Sequence, residues 1–106
     1  MKYRRQYADG GAAIAMTVAP GVAFQIEEVR VHLSAAGGAG DLTITLDSGE
    51  AADHDVVLLT QDMTAVVDLA WQPTRPLSFR ADDEVDIEYA NANTRDYGVE
   101  VIYSAI

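Results

Sequence analysis

The chain contains no cysteine, which excludes disulfide frameworks, thiol nucleophiles and thiolate metal sites while leaving the redox compartment open. Basic residues are scarce: seven Lys and Arg stand against seventeen Asp and Glu, for a formal net charge of −10 and a pI near 4.3. A field of that sign repels phosphate backbones and anionic lipid, so neither a nucleic acid nor a membrane is expected as a partner. No apolar run approaches the roughly 18 residues of a membrane span. Met1-Lys2-Tyr3-Arg4-Arg5 is basic, yet no secretory apolar stretch and small-residue cleavage site follow it. What is present is 106 residues, 49% hydrophobic and 23% charged, the composition of one globular domain able to bury a core without staples. With no linker, repeat or low-complexity tract, the expected organisation is a basic arm or edge segment over residues 1–11 and a β-sandwich over residues 12–106.

The dominant pattern has period 2. Leu42, Ile44 and Leu46 alternate with Thr43, Thr45 and Asp47; Val85, Ile87 and Tyr89 alternate with Asp86 and Glu88; Tyr97, Val99, Val101 and Tyr103 oppose Gly98, Glu100, Ile102 and Ser104. Such alternation marks half-buried antiparallel strands. Further strands are expected at 12–19, 22–34, 56–60, 64–70 and 77–80. Within 22–34 the apolar phase switches from Phe24 and Ile26 to Val29, Val31 and Leu33, which predicts a β-bulge at Glu27-Glu28. Turn residues separate the runs at 36–40, 48–50, 61–62, 81–83 and 91–94. Seven or eight strands in this length, with no three-turn amphipathic helix, predict an all-β, two-sheet antiparallel sandwich of jelly-roll or immunoglobulin-like type.

No catalytic constellation emerges. His32 alternates with Val31 and Leu33 and reads as a solvated strand residue. Asp53-His54-Asp55, with Glu50 in the same loop, offers carboxylates and an imidazole but lacks the spacing and glycine of an EF-hand loop. Asp82-Asp83-Glu84, continued by Asp86 and Glu88, is the densest negative run and reads as a charged face that discourages edge-to-edge aggregation. Calcium at Asp53, Asp55, Asp82 or Asp83, or on the face shared by Glu84, Asp86 and Glu88, is a subsidiary reading, and no metal or cofactor is expected. Ser48 lies in no G-x-S-x-G elbow, and Gly37-Gly38-Ala39-Gly40 has neither the lysine nor the following helix of a phosphate loop. The acids form no aromatic-flanked pair of the kind that glycoside hydrolysis uses. A non-enzymatic protein is the expectation.

Residues suited to contacts are more visible. Trp71, in Trp71-Gln72-Pro73-Thr74-Arg75-Pro76, reads as a plug at the end of the core, with stacking on a sugar or a partner protein as the alternative. Tyr89, Tyr97 and Tyr103 follow the inward phase; Ile102 and Ile106 follow the outward phase and are candidate protein contacts. Lys2, Tyr3, Arg4, Arg5 and Tyr7 form a basic, aromatic segment ahead of an acidic body, suited to docking on an acidic neighbour or on another copy.

Leu42-Thr-Ile-Thr-Leu-Asp-Ser-Gly49, Leu58-Leu-Thr-Gln-Asp-Met63, Trp71-Gln-Pro73 with Pro76-Leu77, Asp83-Glu-Val-Asp-Ile87, Asn91 and Tyr97-Gly-Val-Glu-Val101 carry a resemblance across about residues 14–104. In strand rhythm and in these anchors the chain resembles the small β-sandwich virion structural proteins of tailed bacteriophages, of the capsid decoration or cement type. Asp82-Asp83 stands where such chains often have Gly-Asp, so that match is partial. The resemblance implies a structural protein, assembled in the host cytoplasm into the virion, that binds capsid or other virion subunits and forms homo-oligomers; it implies no catalytic residue. The alternatives are a carbohydrate-binding module that uses Trp71 to hold a glycan, or a small tail or baseplate component.

Overall fold

The computed structural model describes residues 11–106 in full and, before them, the backbone pairing of Lys2–Ala8. Among the described residues nine strands form two antiparallel sheets. The larger runs β1 (Lys2–Ala8), β9 (Tyr97–Ala105), β3 (Phe24–Leu33), β6 (Asp68–Trp71), with β7 (Leu77–Phe79) also paired to β3. The smaller runs β2 (Ile14–Val18), β8 (Glu84–Tyr89), β4 (Asp41–Asp47), β5 (Val56–Asp62). One 3₁₀ turn, Ala52–His54, joins β4 to β5. No helix among the described residues is long and apolar enough to cross a membrane.

β6 and β7 share one position. β6 pairs with Val29–His32 and β7 with Phe24–Ile26 of the same strand, and Pro73 and Pro76 lie in the interruption, since proline cannot donate to a ladder. Counted this way, eight strand positions alternate between the sheets in the order larger, smaller, larger, smaller, smaller, larger, smaller, larger. That is the path of a jelly roll, two Greek keys folded together, and it decides between the two sandwich types left open by the sequence.

The period-2 residues build the core. Ile14, Met16 and Val18 of β2, Leu42 and Ile44 of β4, and Val85, Ile87 and Tyr89 of β8 meet Phe24, Ile26, Val29, Val31 and Leu33 of β3 and Tyr97, Val99 and Val101 of β9. Phe24 stacks on Phe79 at 5.0 Å between ring centroids. The bulge falls where the phase change placed it: Ile26 pairs with Tyr103 and Glu28 with Ile102, so Glu27 is the extra residue and the apolar side chains on both sides of it reach the core.

Three expectations change. Residues 64–67 form no strand; β5 runs on through the turn expected at 61–62, and strand structure resumes at Asp68. There the chain crosses from one sheet to the other: Ala65 has φ +63°, Val66 N–H donates to Met63 C=O at 3.0 Å, and Leu33 N–H donates to Val67 C=O at 2.8 Å. Met63 is fully buried beneath the crossing, and Gly37 bridges Thr64 so closely that a Cβ there would meet Met63 C=O at 2.4 Å. Secondly, Lys2–Ala8 is the edge strand of the two options considered, in register with β9 from Lys2↔Tyr103 to Ala8↔Tyr97, and makes the ninth strand. Thirdly, Ile102 lies outside the core cluster, as its outward phase requires, but is only 7% exposed. It sits in register between Tyr3 of β1 and Glu28 of β3 and is covered, so it is not a free contact residue.

Candidate functional site

The smaller sheet ends on β5, Val-Val-Leu-Leu-Thr-Gln-Asp, and β5 is finished differently from the other strands. Val56 is 50% and Val57 58% exposed. A register shift explains part of this: Ile44 pairs with Leu59 but Thr45 with Val57, so Leu58 is an extra, bulged residue. Leu59 keeps the inward phase of Ile44, Leu58 turns toward the gap between the sheets, and Val57 takes the outward phase of Thr45. Leu58, Trp71 and Leu77 then pack as half-buried residues against the core. Together with Pro73, Thr74 and Arg75 they line a groove of about 360 Å³ along the open flank of the sandwich. Trp71 packs half-buried against the core, and its remaining surface lines that groove.

Acidic groups surround this edge. Asp62, the last residue of β5, stands directly across from Asp41 of β4, and both are exposed; like charges at opposed positions destabilise a ladder. The Thr64 amide, at 2.9 Å, and its hydroxyl hold the Asp62 carboxyl below its usual range, which keeps it charged. At the other end of β5, Asp55 accepts from Ser48 N–H at 2.8 Å, and Asp53 and His54 lie exposed in the 3₁₀ turn.

Every charged residue in the strands of the smaller sheet is acidic. β2, β4, β5 and β8 contain no Lys, Arg or His, while β4 and β8 supply Asp41, Asp47, Glu84, Asp86 and Glu88. Asp47 and Glu84 are opposed in register, and a carboxylate oxygen from each of Asp47, Glu84 and Asp86 lies within 4.8 Å of the others. Partial desolvation, then repulsion by Asp55 and Asp86, pushes the Asp47 carboxyl up from its ordinary value. These three residues are the ones placed to hold a hard divalent cation with oxygen ligands; exposed acidic groups also gather in this way without one.

Of the residues considered for calcium from the sequence, Glu84 and Asp86 meet in this cluster, whereas Asp53, Asp55, Asp82 and Asp83 are not brought together as a ligand set. Asp83 is spent on backbone: its carboxylate accepts from Arg80 N–H at 2.9 Å and Gly49 N–H at 3.1 Å, and those two bonds hold it below its usual range. It ties the Ser48-Gly49 turn to the turn before β8. Asp82 lies 3.9 Å from the Arg80 guanidinium, which donates to Glu50 at 2.6 Å. The outer face of the larger sheet is charge-paired instead. Arg30 bonds Glu28 and lies 3.6 Å from Glu100; His32 Nδ1 meets Asp68 at 2.6 Å across β3 and β6; Gln72 donates to Glu28 at 2.9 Å.

Of the residues read as partner contacts, Ile106 is 71% exposed at the end of the chain. The side chains of Lys2, Tyr3, Arg4, Arg5 and Tyr7 lie outside the described residues. The sequence reading missed Val56 and Val57, because two adjacent valines in a strand read as core and only the bulge turns one of them outward. It missed Asp47, whose approach to Glu84 depends on strand pairing. It also missed Asn91, buried at φ +60°, whose amide donates to Ala12 C=O and Arg95 C=O and accepts from Arg95 N–H. The Asn-rich turn was the available signal, since asparagine tolerates left-handed backbone. No family model and no curated protein matches the chain.

Proposed function

We propose that this protein is a non-enzymatic structural subunit that binds other protein subunits, of the kind that decorates and stabilises the capsid of a tailed bacteriophage. The observation that carries the reading is β5: a seven-residue sheet edge with Val56 and Val57 half or more exposed, continuous with the Trp71 groove. A free strand edge whose one charge, Asp62, lies at its very end is a template for pairing with another chain, and proteins that do not use such an edge blunt it with lysine, proline or a cover. The virion assignment is supported by the resemblance in strand rhythm, and by the use of the jelly roll in viral capsid and lectin domains.

Density-gradient fractionation of particles from cells producing the protein in its native context tests the reading. The chain is expected to band with the particles in stoichiometric amounts and to be released by mild denaturant. Recovery only as a free small protein would contradict it.

The lectin use of the jelly roll and the groove beside Trp71, which includes Thr74 and Arg75, favour a glycan-binding module as the second reading. Glycan-array binding that is lost in Trp71→Ala would replace the first reading by the second.

A further inference from the structure

The topology divides the sandwich into two flanks of opposite character. Residues 9–13 join β1 to β2, which end the larger and smaller sheets on one side; residues 63–67 join β5 to β6, which end them on the other. The first flank carries Lys2, Arg4 and Arg5 on β1, three of the seven basic residues of the whole chain. The second carries Asp55 before β5, Asp62 at its end and Asp68, bonded to His32, at the start of β6, against Arg75 in the groove, with the Asp41–Asp62 opposition left without a basic residue in any strand of that sheet. β1 and β5 are both seven residues long, and both are terminal strands.

From these observations we infer that β1 of one copy docks along β5 of the next, extending the larger sheet of the first into the smaller sheet of the second. This deepens the structural-subunit reading, on which it rests, by naming the surface and the partner. Backbone pairing covers the free edge of β5, the partner strand shields Val56 and Val57, and the basic composition of β1, in which Arg5 already stands opposite Glu100, complements the acidic rim. Because donor and acceptor flanks lie on opposite sides of the same molecule, the contact is heterologous. It therefore propagates into a ring or a filament rather than stopping at a twofold dimer.

Sedimentation velocity at low and high ionic strength tests the contact with the intact protein and two variants. Lys2→Gln/Arg4→Gln/Arg5→Gln neutralises the donor strand without deleting it; Val57→Lys alters an exposed position on the acceptor and places a like charge against β1. The wild type is expected to associate at low salt and to dissociate as salt screens the charges. Each variant alone is expected to associate roughly tenfold more weakly or not at all. Mixed, the two are expected to form a one-to-one dimer, since one keeps β1 and the other keeps β5. A wild type that stays monomeric at every salt and concentration overturns the inference. So does association lost in Val57→Lys but kept in the triple variant, which would mean β5 pairing with β5, and so does the reverse pattern, which would place the acceptor elsewhere. A chain that stays monomeric yet bands with particles overturns this contact alone; one that does neither overturns the structural reading as well.

Discussion

The two outer faces of the sandwich solve the same problem in opposite ways. Both sheets turn polar side chains outward at period 2, but the larger sheet interleaves signs and the smaller does not. On the first, Arg30 lies between Glu28 and Glu100, and His32 meets Asp68 across two strands. On the second, Asp47, Glu84 and Asp86 converge with no cation in any strand of the sheet. The two edges of the smaller sheet differ as well. β2 buries Ile14, Met16 and Val18 and exposes only Ala15 and Thr17, and Thr17 is bonded to Asp86 at 2.8 Å; β5 leaves two valines in water. A face whose charges are paired internally is complete as it stands. On the proposed reading a partner supplies what the second face leaves unanswered, which is why the smaller sheet and its β5 edge are the surface assigned to partners.

The largest effect that separates the faces is expected at Asp83, the carboxylate of the acidic run that accepts from two backbone amides. Asp83→Ala leaves the amides of Gly49 and Arg80 without an acceptor at a buried corner, and is expected to cost about 1–3 kcal/mol in urea unfolding with an unchanged slope. The pH dependence has a definite sign. The folded-state pKa is lowered, so this contribution is present above the unfolded value near 3.9 and is lost as pH falls through the depressed folded value. A wild type minus variant difference that survives full acidification would detach Asp83 from this role.

Asp47 is expected to behave in the opposite way. Its folded-state pKa is raised, so the charged form is disfavoured by the fold and stability falls as pH rises through the window above the ordinary value. Asp47→Asn is expected to raise the thermal midpoint at neutral pH, and the gain is expected to vanish below about pH 4. Added salt is expected to raise the wild-type midpoint more than that of Asp47→Asn, because screening relieves the same repulsion. Equal salt responses would mean that the acidic face is not under strain.

The smallest effect belongs to the paired face. Glu100→Gln removes one partner of the exposed Arg30 and is expected to shift stability by about 0.5 kcal/mol or less, in the destabilising direction. A stabilising shift there would erase the contrast between the two faces.

The sheets were legible in the sequence because burial on one face writes itself as alternation, and even the break in alternation at Glu27-Glu28 located a bulge. The crossing at 64–67 was not legible, because Val66 and Val67 have strand propensity while the path between sheets is set by the Gly37 and Met63 packing beneath them. The site was less legible still. Trp71 and the charge asymmetry of Lys2–Arg5 stood out as residue types, but the exposure of Val57 depends on a bulge at Leu58, and the convergence of Asp47 on Glu84 depends on which strands pair. Neither leaves a local signature. Ile102 shows the converse: its phase was read correctly, but the pairing of β1 beside it decides its burial.

Amide hydrogen exchange across the whole chain, compared between dilute protein and concentrated protein at low salt, tests the central claim most directly. The account predicts added protection over Val56–Asp62 and Lys2–Ala8, with the outer-face positions of β3 unchanged. Protection gained on β3 and β9 while Val56–Asp62 exchanges as freely as before would contradict it.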